Sequence, residues 1–374
     1  FQIARCYRDE DSRKDRQPEF TQIDIEQSFA DQDEILELNE GMFADLFKKA
    51  AGIELNTPFE RLTYKEAVDN YGVDKPDLRY GLKLKNITER TRTSNFRVFS
   101  DAQCVKFLAV EGISGLSRKQ ITAYEEYAKH LGAKGLAFTK FIGGKLEGGI
   151  SKFLSEEESG AIITLSEMQK DGLIFFAADR EDLVNKVLGS VRIRIAEELK
   201  LFDPEEFKFC WITDFPMFEY NEEEGKWDAM HHMFTMPLPK HLQNMMDGRY
   251  LNKITGRLYD LVGNGVELAS GSIRIHDPEI QEKVFSILQI PKKEYESKFG
   301  AMLNAFRYGA PPHGGIAFGL DRLTAMICGE DSIRDVIAFP KSKNQNCLMT
   351  NAPSPVSEEQ LKELSIRINT EQIN

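Results

Sequence analysis

The 374 residues carry 41% apolar and 29% charged side chains, an ordinary globular balance at a length that predicts two domains rather than one. A net charge of −12 excludes a general nucleic-acid coat protein but leaves room for a local RNA-binding face. Five scattered cysteines (Cys6, Cys104, Cys210, Cys328 and Cys347), with no C-x-x-C and no zinc spacing, fit a reducing compartment, and no apolar run is long enough to cross a bilayer.

The chain opens inside a strand, without a methionine or a signal-like segment, and so reads as a fragment whose upstream part is missing. Phe1 to Phe29 has a period of two and predicts two strands joined by a charged loop. On the second strand Phe20, Gln22, Asp24, Glu26 and Ser28 point one way, and Thr21, Ile23, Ile25 and Phe29 the other. The pattern alone fits a solvated polar face as well as a binding face. The loop from Arg8-Asp9-Glu10 through Arg13, Asp15, Arg16 and Gln17 favours the second, because charge alternating at this density suits a loop folding over a charged ligand.

Asp31 to Ala51 predicts a helix, led by acidic residues and closed by Lys48, Lys49 and Gly52, with Ile35, Leu36, Leu38, Met42, Phe43, Leu46 and Phe47 as its apolar stripe. Tyr64 to Tyr71 predicts a shorter helix ended by Gly72-Val73-Asp74-Lys75-Pro76, where Lys75, Asp77 and Arg79 read as structural. From about Leu82 the character changes. Ser117 and Gln120 form a capping-box pattern, strands are predicted at Leu136 to Phe141 and Gly172 to Ala178, and a helix at Asp182 to Leu201. Lys145 invites a phosphate-loop reading that Thr139 and Leu146 break at both ends.

Phe207 to Tyr220 reads as strand, with Trp211 in a core. The adjacent His231 and His232 would alternate sides on a strand, so they do not suit a single metal. Gly263-Asn264-Gly265 between apolar runs is a hairpin signal. A two-residue turn at Gly263-Asn264 makes Asp260 and Glu267 directly opposed, one at Asn264-Gly265 makes them diagonal, and a three-residue loop separates their faces. Two carboxylates about 5 Å apart repel by roughly 3 kcal/mol at an effective dielectric near 20. Such a pair calls for a proton or a cation, and hard oxygens beside phosphates suit Mg²⁺. A solvated acidic pair is the plainer alternative. Arg274 shares a face with Ser272 and His276, and a guanidinium aimed into a pocket is the natural reader of a carboxylate. Gly309 to Gly329 predicts a glycine-punctuated strand entering a helix, with Leu320, Leu323, Met326 and Ile327 as buried stripe and Arg322 in the first turn, where a cation is misplaced without an anionic partner.

The run CYRDEDSRKDRQPEFTQIDIE resembles motif 2 of class II aminoacyl-tRNA synthetases, specifically the bacterial-type (bacterial and mitochondrial) aspartyl branch, and Gly315 to Arg322 resembles motif 3. The D…E pair and the S-I-R-I-H element extend the likeness over nearly the whole chain. The resemblance implies an α+β fold: an antiparallel-sheet catalytic domain flanked by helices, at 1–81 and 207–374, with an α+β insertion domain at 82–206. It implies an aspartate–tRNA ligase that makes aspartyl-adenylate from L-aspartate and ATP, then charges tRNA(Asp). It further implies ATP contacts from Arg8, Asp9, Glu10, Gln17, Glu267, Gly319, Leu320, Asp321 and Arg322, with Arg8 and Arg322 catalytic. Aspartate contacts fall to Arg8, Gln22, Asp24, His231 and Arg274, and Mg²⁺ to Asp260 and Glu267. A homodimer without a membrane, in a cytoplasm or a mitochondrial matrix, completes what it implies. Motif 1, the anticodon-reading barrel and two residues of the aspartate pocket would belong to the missing upstream part. Two departures from the family pattern stand out: Met233 replaces a usual proline, and Ala269-Ser270-Gly271 replaces three glycines. Two other readings are a non-catalytic interaction module on the same fold and an asparagine-forming ligase that releases AMP without tRNA.

Overall fold

The structure, a computed structural model, describes residues 1–369. It begins with β1 (Gln2–Tyr7), β2 (Glu19–Ser28), α1 (Gln32–Ala51), β3 (Glu60–Thr63) and α2 (Tyr64–Tyr71). A second group follows: β4 (Leu84–Asn86), α3 (Arg97–Ser100), β5 (Cys104–Glu111), α4 (Arg118–His130), β6 (Ala137–Ile142), β7 (Lys145–Glu147), α5 (Glu156–Ser166), β8 (Gly172–Asp179) and α6 (Glu181–Leu199). Then come β9 (Phe209–Thr213), β10 (Phe218–Asn221), β11 (Lys226–Ala229), α7 (Pro239–Met246), β12 (Leu258–Gly263) and β13 (Val266–Ile273). The chain closes with α8 (Pro278–Ile287), α9 (Lys292–Arg307), β14 (His313–Gly319), α10 (Leu320–Cys328) and α11 (Glu358–Glu363). Two compact units result, one from Phe1–Ile25 with the chain from Ala317 onward, the other Glu26–Ile316.

In the first unit β1 lies antiparallel to β2, with Ala4 opposite Gln22 and Cys6 opposite Phe20. Later chain ties down the loop between them: the Ile333 N–H and the Ser332 hydroxyl both donate to the Lys14 carbonyl, at 3.0 and 3.2 Å. At its base Glu19 accepts from Arg5 at 2.7 Å and meets Lys341 at 3.1 Å. The stripe of α10 is narrower than its periodicity predicts. Leu323 and Ala325 are buried while Leu320, Met326 and Ile327 are half-buried.

The second unit carries the strand order β14-β13-β12-β9-β3. β12 runs antiparallel to both neighbours, and the edge strand β3 lies parallel to β9. Helix α1 starts at Asp31, whose carboxylate and Glu34 complete a capping box, and stops at left-handed Gly52. Ile35, Leu36, Phe43 and Phe47 of α1 are buried, and Glu40 accepts the Trp211 indole N–H at 2.8 Å, so α1 covers one sheet face. Leu38, expected in that stripe, is 54% exposed. The predicted strand Phe207 to Tyr220 breaks after Thr213, because Asp214 turns left-handed (φ 58°) and Pro216 has no N–H for a ladder.

Within the same unit, residues of the second group form a separate antiparallel sheet, order β4-β5-β8-β6-β7. Helices α4 and α6 cover one side through Ile121, Tyr124, Val184, Val187 and Val191. Phe99 of α3 and Ile162 of α5 cover the other. Helix α6 also fastens this module to α2. A Cβ on Gly72 would stand 2.3 Å from the Asn185 carbonyl, and one on Gly189 would stand 2.8 Å from the Gly72 carbonyl, so both positions require glycine. The buried Lys106 ammonium donates to Asn185 at 2.8 Å and to the Asp69 carboxylate at 3.1 Å, which satisfies a charge that could not otherwise be buried.

Candidate active site

The β12–β13 hairpin sets two chemically opposite groups on the sheet face away from α1. Its turn is Asn264-Gly265, both at positive φ (48° and 81°), with Gly263 paired to Val266. Val262 pairs with Glu267, a bulge skips Leu268, and Asp260 pairs with Ser270. Asp260 and Glu267 are therefore diagonal on one face, the second of the registers the sequence allowed. Asp260 is 4% exposed, and its Oδ1 has no hydrogen-bond partner among the described residues. Burial first, then the Glu267 charge, pushes its carboxyl well above the usual range, and only Ser270 and Lys75 pull the other way. Lys75 stands 3.6 Å from Glu267.

Toward the other end of the same face, Arg274 is held from several sides. Its Nη1 lies 3.0 Å from the Ser272 hydroxyl and 3.0 Å from His232 Nε2, and its Nε and Nη2 donate to a single Glu26 oxygen at 3.2 and 2.7 Å. Burial, the Arg274 charge and then His231 push the His232 imidazolium down to about 4, so this histidine is neutral at pH 7. A recess of about 380 Å³ opens here, lined by Glu26, His232, Phe234, Arg274 and His313 among others. Of the two adjacent histidines, it is His232 that touches Arg274. The His231 ring packs edge-on against Phe215 at 4.8 Å, and loss of water around it lowers its proton affinity, partly offset by Glu267 and Asp74. Adjacent residues on an extended stretch face opposite ways, and the tertiary contacts decide which histidine meets the arginine.

In the first unit Arg8 lies over the Phe20 ring at 5.1 Å and 3.8 Å from Glu10, on a recess of about 490 Å³ that it shares with Asp9, Glu19, Lys341 and Gln345. Gln17 is buried, and its Oε1 has no partner among the described residues. Gln22 accepts from the Cys6 thiol at 3.2 Å, and Asp24 is exposed. Arg322 sits in the first turn of α10, where its misplaced charge finds Asp15: Nε meets the carbonyl at 3.3 Å and Nη2 the carboxylate at 3.4 Å. Asp321 accepts the Thr21 N–H at 2.8 Å, and Gly319 and Leu320 form the junction that precedes it. Each unit thus holds its own group of the expected residues.

Ser272 was placed on the face of Arg274 by the sequence, whereas Glu26 and His232 as its direct partners were not foreseen. Glu26 had a signal, since it shares the strand face of Gln22 and Asp24. Among the described residues no set of three His, Cys, Asp or Glu side chains could hold a metal. The fit to a cation is that of Asp260 and Glu267 alone, one of them with a buried unmet oxygen. This suits an ion such as Mg²⁺ that takes its other ligands from water and phosphate. A larger cleft of about 710 Å³ in the five-stranded module contains none of the expected residues. No described helix is long and apolar enough to cross a membrane.

Comparison with known proteins gives the family. A relative from a Hydrogenobaculum species, named an aspartate–tRNA(Asp/Asn) ligase, is 50% identical over 98% of this chain and 64% of its own length. One of the same name from Treponema denticola is 50% identical over 98% of this chain and 63% of its own. An aspartate–tRNA ligase from Ruminiclostridium cellulolyticum is 46% identical over 99% and 63%. The chain spans under two thirds of the length of these relatives. A solved asparaginyl-tRNA synthetase of Entamoeba histolytica, with asparaginyl-adenylate, overlays at a TM-score of 0.45 and 17% identity over 92% of this chain and 52% of that one, too slight to carry weight. The model of class II tRNA synthetases (D, K and N) matches residues 1–343, and the chain belongs to that family.

Proposed function

We propose that this chain is the catalytic part of an aspartate–tRNA ligase, which joins L-aspartate to ATP as aspartyl-adenylate and passes it to the 3′ end of tRNA(Asp). The observation that carries the reading is the Arg274 corner. A guanidinium oriented by Ser272 and His232, with the Glu26 carboxylate on its Nε–Nη2 edge, is set to take a substrate side-chain carboxylate, and a neutral amide would bring it no opposite charge. Of the two other readings, neither the interaction module nor the amide-forming ligase has an observation that favours it.

No side chain acts as nucleophile in this reaction; the substrate's own carboxylate attacks the α-phosphate while the bond to the β-phosphate oxygen breaks and pyrophosphate leaves. Arg8 holds that phosphate and the reacting carboxylate, and its charge offsets the negative charge that grows there. Asp24 and Gln22 take the substrate ammonium, and His231 borders the amino-acid pocket. Asp9, Glu10, Gln17, Gly319, Leu320 and Asp321 line the nucleotide's place, and Arg322 leaves Asp15 to lie against ATP. Asp260 and Glu267 would hold Mg²⁺, which supplies charge neutralisation on the phosphates. The segment 82–206 is an insertion domain, and the assembled protein is a homodimer of the cytoplasm. Charging of tRNA(Asn), suggested by the names of two relatives, belongs to the same proposal.

Aspartate-dependent ATP–pyrophosphate exchange tests the reading. Exchange with aspartate and not with asparagine is the expected result. A folded protein that supports no exchange with aspartate overturns it.

A further inference from the structure

The loop that follows α2 contains a cation that the sequence marks only as structural. Across residues 72–80 every position is buried or half-buried except Lys75. The loop is fixed at both feet. Gly72 rests on Gly189 of α6 so closely that neither could carry a Cβ. Farther on, the Arg192 guanidinium donates to the Asp77 and Tyr80 carbonyls at 2.8 and 2.9 Å and, through Nε, to the Leu82 carbonyl at 2.9 Å. The Asp77 carboxylate closes on Arg79 at 2.7 Å, and Gly265 of the hairpin turn lies against Asp77, a Cβ there standing 3.2 Å away. These contacts carry the loop tip to the carboxylate pair, and Lys75 reaches Glu267 at 3.6 Å. Beside Glu267 lies Asp260, buried and with an oxygen that has no partner among the described residues.

We infer that Lys75 is the exchangeable counter-ion of the Asp260–Glu267 pair: it occupies the front of Glu267 until a divalent cation arrives, and then turns to the phosphate oxygens of the nucleotide. The inference rests on the proposed function for the identity of that nucleotide. An ammonium on a four-carbon stem suits the exchange, because its tip can move by several ångströms while its backbone stays fixed. The same charge opposes the incoming cation and attracts the phosphates that come with it, so Lys75 is a positioning residue whose removal has opposite effects on the two ligands.

The test uses Lys75→Met and Lys75→Arg in the full chain, with Mn²⁺ as probe. Mn²⁺ binding is measured by electron paramagnetic resonance without nucleotide, and KM for ATP by aspartate-dependent exchange. Lys75→Met is expected to bind free Mn²⁺ roughly three- to tenfold more tightly while its KM for ATP rises by a similar factor. Lys75→Arg, which keeps the charge, is expected to stay near the parent protein in both. A merely structural lysine would give weaker or unchanged Mn²⁺ binding in Lys75→Met, and that result overturns the inference. If Lys75→Met does not fold, Lys75→Gln takes its place under the same criteria. Parent protein that binds Mn²⁺ and exchanges normally, beside an unaltered Lys75→Met, removes only the role of Lys75. Parent protein that binds no Mn²⁺ removes the metal assignment together with it.

Discussion

The two ends of the β12–β13 hairpin face show opposite ways of preparing for a charged ligand. At the arginine end each guanidinium nitrogen of Arg274 already meets Glu26, Ser272 or His232, which fixes its orientation. At the carboxylate end an oxygen of Asp260 is buried with no partner among the described residues, and the Lys75 ammonium sits on its neighbour Glu267. The first arrangement fixes geometry before the ligand comes, so that a substrate is judged by shape and charge. The second leaves electrostatic strain that only a ligand relieves, at a cost to the empty protein. Under the proposed function, selection and recruitment would therefore occupy different ends of one sheet face.

Arg274→Lys strikes the pre-oriented end hardest. The fold is expected to persist, but losing the fork should cost about 3–4 kcal/mol of aspartate selection, read as a 10²–10³-fold fall in kcat/KM in pyrophosphate exchange. Normal activation of aspartate by this variant would remove Arg274 as the reader.

Acid should reach the same end through His232. Its proton affinity in the fold, near pH 4, is below the ordinary 6.5, so between those values the unfolded chain binds a proton that the folded chain refuses. The stability contribution is complete above about pH 6.5 and falls away as pH drops toward 4, by roughly 2–3 kcal/mol in all. Urea unfolding across this window measures it, and His232→Gln should flatten the curve.

The strained end should respond in the reverse sense. Asp260→Asn removes a buried carboxylate pressed by Glu267 and is expected to stabilise the metal-free chain by about 1–2 kcal/mol. It should also abolish Mn²⁺ binding. Calorimetry with and without the ion would reveal both effects, and a destabilised variant would show that this end carries no such strain.

Local chemistry made much of this legible. Alternation gave the first hairpin, the glycines around Asn264 restricted the second to few registers, and the acidic lead after Asp31 and the capping box at Ser117 located two helix starts closely. Contacts between distant segments were not legible. No local pattern tells which of two adjacent histidines will meet Arg274, because that depends on how the stretch after β11 lies against β13. The bulge at Leu268 changes the pairing beside Glu267 without leaving a glycine to mark it. The place of Lys75 beside Glu267 was not legible either, because it depends on α6, a helix far along the chain that presses on the Gly72 foot of its loop.

The seam between Gly72 and Gly189 bears on any attempt to trim the molecule. Splicing the chain across 82–206 would take away Arg192, whose guanidinium lies over the Tyr71 and Tyr80 rings, and Lys106, which neutralises Asp69. A minimal version cut at those borders would inherit bare aromatic surface and leave Asp69 with Lys65 as its remaining cation, so miniaturisation has to begin by re-covering α2 rather than by deletion alone.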